Sequence, residues 1–218
     1  TITSGEVVAL VGPTGVGKST VADLIGGLQK PTSGNIYLDD IPLSDIDPQQ
    51  RNKALAVAFQ ESFLFADTVK ENIVLGRDFS DEEIRQSLEM AQALKFVNEL
   101  PEGINTILGE RGVTLSGGQR QRITLARALV GKPRILFLDD STSSVDPVVE
   151  KKILDKLRMH EDVTLLIVAH RLSTIKLADR VIFLNEGKIE GAGTHDEMMR
   201  HHAYSALVKA YETNGNPQ

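Results

Sequence analysis

The length, composition and charge of the chain limit what it can be. Its 218 residues, 41% of them hydrophobic, suffice for one sizeable core or for one core with a smaller subdomain. Thirty acidic and 24 basic residues give a net charge of −6, which excludes a general electrostatic attraction to nucleic acid or anionic lipid. The sequence contains no cysteine, which excludes disulfides and thiolate metal sites.

Short apolar runs alternate with segments of helical periodicity along the chain. The runs lie at residues 6–11, 55–59, 134–138, 163–169 and 180–184. This alternation predicts an α/β fold in which crossover helices connect a mostly parallel sheet. All of these runs are far shorter than the ~20 residues that a membrane-spanning helix needs. Because the first residue is Thr1 rather than Met, we expect the chain to be trimmed from a longer one.

A long helical stretch separates the second and third apolar runs. Residues 69–131 are too many for one crossover and predict an inserted α-helical subdomain, with 1–68 and 132–218 as the core. Within this stretch, Ser80 and Glu83 form a capping-box pattern. It opens a helix whose buried stripe is predicted to consist of Ile84, Leu88, Ala91 and Leu94.

Two further signals concern the C-terminal half. Asp146 and Pro147 predict a helix start, because an N-cap residue precedes proline at the first helical position. The buried stripe of this helix is predicted to be Val149, Ile153 and Leu157. The last six residues, 213–218, are predicted to fray.

A glycine-rich segment follows the first strand and opens a helix. Its sequence is GPTGVGKST, and its glycines allow successive backbone N–H groups to point inward, as phosphate oxygens require. Lys18 is predicted to bridge the β- and γ-phosphates of a nucleotide, and the Ser19 hydroxyl to face Mg²⁺. The phosphate-binding candidates are Gly12, Pro13, Thr14, Gly15, Val16, Gly17, Lys18, Ser19 and Thr20.

Two acids end the strand pattern RILFLDD. Ligands of parallel α/β sheets gather at the carboxyl ends of strands, so Asp139 is a candidate for holding Mg²⁺ through water. Asp140 is then predicted to face the γ-phosphate and the attacking water. Together with the phosphate loop, these acids indicate a P-loop nucleoside triphosphatase (NTPase), a class that includes kinases, GTPases, helicases and transport motors.

Residues 115–119, LSGGQ, narrow this class. Ser116 can cap a helix whose first N–H groups come from Gly117 and Gly118, which gives a second anion-binding helix terminus. The segment and its continuation RQRITLARAL resemble the signature motif of ABC ATPases. This resemblance implies that Ser116, Gly117, Gly118 and Gln119 act in trans, covering the ATP of a partner chain in a head-to-tail dimer.

The same resemblance implies roles for other residues and covers essentially the whole chain. Gln60 stands where the family's Q-loop glutamine reaches Mg²⁺ and senses the attacking water, and His170 matches the switch histidine that contacts the γ-phosphate. Residues 143–146 resemble the D-loop.

By contrast, His201 and His202 are interpreted as solvated surface. Met198 and Met199 are interpreted as packing on an amphipathic helix.

Two stretches resemble the exporter branch of the family in particular. These are QESFLFADTVKENI at 60–73 and GERG at 109–112, both of which lie against the coupling helices of a membrane domain in that branch. The resemblance therefore implies a transmembrane partner and a location on the cytoplasmic side of a membrane, a bacterial inner membrane in our interpretation. No nucleic-acid partner is expected.

The chain departs from the family pattern in two places. The aromatic residue that stacks on adenine and much of the N-terminal antiparallel β part would precede Thr1. In the family, the acid after Asp139 is usually glutamate, which acts as the base, but here it is Asp140. This predicts a slow site in one half of a heterodimer or of an exporter with both halves in one chain. A water that bridges the gap would instead leave Asp140 active. Two alternatives stay open: a soluble ABC ATPase acting on nucleic acid or ribosomes, and a regulatory module that binds ATP but barely hydrolyses it.

Overall fold

The computed structural model describes residues 1–109, 113–160 and 163–214. The chain divides into two compact units. The first unit consists of Thr1–Val57, Arg134–Asp140 and Glu161–Gln218, and the second of Ala58–Pro133 and Ser141–His160. The subdomain boundaries expected from the sequence, at residues 69 and 131, stay a prediction.

A six-stranded sheet forms the centre of the first unit. Its strand order is β4-β5-β6-β1-β7-β8, in which β5, β6, β1 and β7 run parallel and β8 is antiparallel to β7. The mixed α/β fold with a mostly parallel sheet is therefore confirmed. The strands are β1 (Val7–Val11), β4 (Leu55–Ala58), β5 (Ile135–Asp139), β6 (Thr164–Val168), β7 (Arg180–Asn185) and β8 (Lys188–Gly193), with a separate two-stranded ribbon of β2 (Tyr37–Leu38) and β3 (Ile41–Pro42).

Both faces of the sheet carry apolar cores, which is why β1 is a continuous apolar run rather than an alternating one. Val8 and Leu10 point to one face and pack with Ala22 of α1, whereas Ala9 and Val11 point to the other and pack with α8 to α10. The helices of this unit are α1 (Lys18–Ile25), α2 (Pro48–Ala54), α8 (Leu172–Leu177), α9 (His195–Met198) and α10 (His202–Asn214), with a 3₁₀ turn at Leu43–Asp45.

The second unit is helical. The predicted capping box at Ser80 and Glu83 is present, and Ile84 and Leu88 are fully buried. Asp146 caps its helix as predicted, with Pro147 at the first position. The helices are α3 (Val69–Val74), α4 (Asp81–Met90), α5 (Leu94–Asn98), α6 (Gly117–Leu129) and α7 (Pro147–Arg158), with a 3₁₀ turn at Gly103–Asn105.

The helix predicted to run through Leu94 is shorter than expected. It ends at Met90 because Gln92 adopts a left-handed conformation, with φ of 54°. The N–H of Gln92 then bonds to the carbonyl of Glu89, and that of Ala93 to the carbonyl of Leu88, which is the Schellman arrangement. Glycine normally marks such an ending, so a glutamine there left no signal in the sequence.

In the C-terminal part, one strand was not predicted and two expectations are corrected. The strand β8 was missed because its hairpin turns on Glu186 and Gly187, both with positive φ, and its sequence KIEGAG is glycine-rich. Thr213 is helical rather than frayed, since its hydroxyl donates to the carbonyl of Lys209, while 215–218 lie outside the described residues. His201 is half-buried against Phe183, with Nε2 3.4 Å from a carboxylate oxygen of Glu190, so it is not a solvated residue.

Two results concern smaller features of the described chain. Met198 is buried and Met199 packs beside it in the cluster under α10, as the sequence indicated. Across the residues that the structure covers, none of the helices combines the length and apolar character needed to cross a bilayer.

The core between the sheet and α8 to α10 can be tested by substitution. Ile175 is fully buried there, whereas Ile189 on β8 is 66% exposed. We expect Ile175→Ala to lower the free energy of unfolding by about 2–5 kcal/mol, because it leaves a cavity. The matched change Ile189→Ala should stay within about 0.5 kcal/mol. Denaturant unfolding of both variants measures this, and equal effects would contradict the described packing.

Candidate functional site

The phosphate loop lies between β1 and α1, in the predicted strand–loop–helix order. The strand ends at Val11 and the helix begins at Lys18. Gly17 caps the helix in a left-handed conformation with φ of 107°, which a residue with a side chain rarely adopts. No side chain caps this helix, so its first N–H groups are not engaged by a capping oxygen.

Lys18 points back into its own loop. Its ammonium donates to the carbonyl oxygens of Gly12 at 2.8 Å and Pro13 at 2.9 Å, and only 7% of the residue is exposed. Burial lowers the pKa of Lys18, and the charges of Asp139 and Asp140 oppose this effect. Two of its three N–H donors are thus directed by the loop, which leaves one for a ligand.

Asp139 is the last residue of β5 and is buried. Its carboxylate is hydrogen-bonded by the hydroxyl of Ser19. Burial raises the pKa of Asp139 and nearby Asp23 adds to this, while the Ser19 hydrogen bond and the charge of Lys18 lower it. A hydroxyl and a carboxylate held together at the phosphate loop are oxygen donors of the kind that suit Mg²⁺. Among the described residues there is no group of three or more acids, histidines or cysteines that could hold a metal.

Asp140 follows β5 in an unusual backbone conformation. Its φ is 47°, in the left-handed region that aspartate and asparagine tolerate better than most residues. The carboxylate lies close enough to Lys18 and to Tyr211 to affect the pKa of both. Its predicted position facing the γ-phosphate stays a prediction.

His170 lies just beyond β6, in the same unit as the phosphate loop. Burial lowers its pKa and the charge of Lys18 lowers it further, so the ring is neutral at neutral pH. Its ring meets that of Tyr211 edge to face, with 5.7 Å between the centroids. The Tyr211 hydroxyl in turn donates to the carbonyl of Gly12 at 3.2 Å. Sequence reasoning missed Tyr211, because an aromatic residue near the end of a helix usually packs in the core.

The signature segment LSGGQ begins α6 in the helical unit. Ser116 caps the helix by accepting from the N–H of Gln119, whose side chain accepts from the N–H of Ser116. A Cβ on Gly118 would stand 2.7 Å from the carbonyl oxygen of Ser144, so this position requires glycine. The start of the signature helix therefore packs directly against the predicted D-loop.

Buried Gln121 makes this contact specific, although the sequence did not single it out. Its side-chain amide donates to the hydroxyl of Ser143 at 3.1 Å and accepts from the N–H of Ser144 at 2.8 Å. Both functional groups of one amide are thus used to connect the signature helix with the D-loop.

The segment after β4 presents two aromatic side chains. Phe63 is 63% exposed and Phe65 is 49% exposed, and their rings meet at right angles. Fully buried Asn72 accepts from the N–H of Phe65 at 2.8 Å, and the Arg127 guanidinium donates to the carbonyls of Asn72 and Phe63. The end of α6 therefore holds this exposed segment in place.

The structure brings together only some of the predicted site residues. Lys18, Ser19, Asp139 and His170 belong to the first unit, where electrostatic or hydrogen-bond interactions connect them. Gln60, which is exposed, and Ser116 to Gln119 belong to the second unit. Of the predicted exporter element GERG, residues 110–112 lie outside the described residues.

Comparison with known proteins identifies the class. The sequence profile of the family described as "ABC transporter" matches residues 1–143, more than half of the chain. The chain therefore belongs to the ABC transporter family. Nucleotide binding and ATP hydrolysis are general properties of the ATPase domains of this family.

Several relatives and one solved structure resemble the chain over nearly its whole length. It is 43% identical over 97% of its residues to ABC transporter B family member 21 of Arabidopsis thaliana, and 44% identical over 92% to an uncharacterized ABC transporter ATP-binding protein of Bacillus subtilis. It is also similar to the structure of a bacterial Atm1-family ABC exporter with ATP bound, with a TM-score of 0.89 and 36% identity over 96% of this chain. The chain spans 17% and 35% of the two relatives and 37% of the exporter chain.

The first functional expectation concerns Lys18. In Lys18→Ala, nucleotide affinity should fall by about 10- to 100-fold, because a charge-assisted hydrogen bond to phosphate is lost. Lys30→Ala removes an exposed lysine after α1 and should leave affinity unchanged. Titration of Mg²⁺-ATP into both variants measures the difference. Equal affinities would contradict the assignment of the phosphate loop.

Proposed function

We propose that this chain is the ATP-binding and ATP-hydrolysing motor domain of an ABC exporter. The observation that carries the proposal is the buried Lys18 ammonium, held by loop carbonyls beside the Ser19–Asp139 pair. This arrangement places one positively charged hydrogen-bond donor, the Lys18 ammonium, and two oxygen ligands at the start of a helix. A nucleoside triphosphate with its metal requires these groups.

The proposed roles follow from where each group lies. The backbone N–H groups of the loop at 12–20 bind the phosphates, except at Pro13, which has no N–H and only shapes the loop. Lys18 donates to the β- and γ-phosphate oxygens. Ser19 and Asp139 would hold Mg²⁺, with Asp139 acting through water, and Gln60 keeps the metal role that the family resemblance implies. Bound there, Mg²⁺ would neutralise charge that develops on the phosphate oxygens. His170, neutral because of its burial, accepts or donates one hydrogen bond at the γ-phosphate.

A second copy or a homologue completes the site. In the proposed head-to-tail dimer, Ser116, Gly117, Gly118 and Gln119 cover the nucleotide of the partner. Support comes from the start of α6, where the serine, the glycines and the D-loop are packed together as one element. ATP binding closes this dimer and hydrolysis reopens it, which makes the chemistry a switch between two assemblies.

The exposed aromatic segment supports a membrane-domain partner. Phe63 and Phe65 stand in the stretch that resembles the exporter segment beside the coupling helices, and Arg127 connects them to the signature helix. We therefore place the protein on the cytoplasmic side of a membrane, a bacterial inner membrane in our interpretation. A soluble ABC ATPase that acts on nucleic acid or ribosomes is not favoured, because the matched structure is an exporter and the net charge is −6.

The shorter acid at position 140 supports a slow ATP site in this chain. Aspartate withdraws the carboxylate by roughly 1 Å relative to glutamate, and misplacement of that size can cost on the order of 10²-fold in rate. The intact LSGGQ would cover the site of a different subunit. We therefore propose a heterodimer, or two halves in one chain, with one slow site and one hydrolytic site.

The trans arrangement can be tested at the signature helix. Ser116→Arg should leave nucleotide binding to the separate chain nearly unchanged and abolish ATP-dependent dimerisation, because Ser116 serves only the partner's ATP. Ser80→Arg is a matched control, since Ser80 caps α4 with the same capping box. Nucleotide titration and sedimentation with Mg²⁺-ATP measure both effects. An ATP affinity loss as large as that of Lys18→Ala would rule out the trans role.

The role of Asp140 can be tested by lengthening its side chain. In the full transporter, Asp140→Glu should raise turnover at this site by on the order of 10- to 100-fold, because the carboxylate regains its reach. Asp140→Asn serves as the control, since it keeps the length and the backbone preference but removes the charge. Equal turnover of the native and glutamate proteins, or full activity as a homodimer, would refute the slow-site assignment.

A further inference from the structure

One side chain of the C-terminal helix reaches both the phosphate loop and the switch histidine. The Tyr211 hydroxyl donates to the carbonyl oxygen of Gly12, with 3.2 Å between the oxygens. The Tyr211 ring meets the ring of His170 at 64°, with centroids 5.7 Å apart. Tyr211 belongs to none of the sequence motifs of the site, yet it contacts both the phosphate loop and the switch histidine.

The hydroxyl acts on Lys18 through an oxygen that the two residues share. The carbonyl of Gly12 accepts from the Lys18 ammonium at 2.8 Å as well as from Tyr211. Gly12 is buried, so protein donors rather than solvent determine where its carbonyl points. The Gly12 carbonyl oxygen is one of the two oxygens that hold the Lys18 ammonium. If this oxygen shifts, the ammonium that binds the phosphates shifts with it.

The ring acts on His170. An edge-to-face contact between aromatic rings has a preferred geometry and limits rotation of both side chains. His170 has to present one ring nitrogen to the γ-phosphate in the proposed mechanism, so its orientation affects the rate rather than the affinity. The Tyr211 ring therefore has a consequence for turnover that is separable from that of the hydroxyl.

Helix α10 delivers Tyr211 from a rigid support. Tyr204 and Val208, one turn apart on the same helix, are buried in the core cluster under the sheet. The Tyr204 hydroxyl bonds to the ring Nδ1 of His195, with 2.9 Å between the two atoms. The helix is thus anchored independently of the contacts that Tyr211 makes.

We propose that Tyr211 is a positioning residue for ATP hydrolysis, whose hydroxyl fixes Lys18 through Gly12 and whose ring orients His170. The inference rests on the proposed ATPase function. It makes the C-terminal helix part of the nucleotide site.

The experiment compares two substitutions that separate hydroxyl from ring. Tyr211→Phe should weaken Mg²⁺-ATP binding by about two- to tenfold, the effect of one hydrogen bond, and leave kcat unchanged. Tyr211→Leu should weaken binding equally and also lower kcat by about tenfold, because His170 loses its ring contact. Both Tyr211 variants are measured in the full-length protein in two backgrounds, one with native Asp140 and one with Asp140→Glu. The second background keeps turnover measurable if Asp140 slows hydrolysis.

The control is Tyr204→Phe, which removes from the same helix a hydroxyl that bonds to His195 rather than to Gly12, and which should keep native affinity. Unchanged affinity in Tyr211→Phe overturns the proposal whether or not Tyr211→Leu folds. An equal loss in Tyr204→Phe also overturns it, because helix stability would then be the cause. Lys18→Ala distinguishes a failure of the proposed ATPase function from a failure of the proposed role of Tyr211. If Lys18→Ala binds ATP normally, the proposed function is wrong. If Lys18→Ala loses ATP binding and Tyr211→Phe does not, only the role of Tyr211 is wrong.

Discussion

The buried ammonium of Lys18 is the constraint on which the site depends. A cation removed from water is stable only among oxygen atoms, and here these are the carbonyls of Gly12 and Pro13, with two carboxylates nearby. The loop must therefore fold back tightly over the start of α1. The carboxylates must also end a strand at the same edge of the sheet. Parallel pairing of β1 and β5 with β6 between them meets that second requirement.

The two glycine-rich helix starts, of α1 and α6, differ in how their first backbone N–H groups find acceptors. In α6, Ser116 and Gln119 satisfy each other's backbone N–H groups, so the capping box fixes the start of the signature helix within its own chain. In α1, Gly17 contributes no side chain, and the first N–H groups are left for a phosphate. The contrast agrees with a loop that binds its own nucleotide and a signature helix that stays preformed until a partner brings one.

The sequence predicted the parts of the molecule in which local pattern and tertiary structure agree. The five strands, the capped starts of α4 and α7 and the phosphate loop depend on short-range periodicity and capping. It failed in two places: at Gln92, a left-handed residue ends α4 without the glycine that would signal it, and at Tyr211, a tertiary contact reaches Gly12 from 199 residues along the chain. Roles such as those of Gln60 and His170 came from family resemblance, because a single glutamine or histidine has no local pattern of its own.

The left-handed backbone at Asp140 affects which residue is stable at this position, in addition to which residue is active there. At φ of 47°, aspartate costs less free energy than a longer side chain, because its short carboxylate can bond to the local backbone. Glutamate would extend further toward a phosphate while straining the turn that carries it. In the proposed heterodimer, position 140 would therefore be a point of stability–activity trade-off, at which the slow subunit gains a more stable turn.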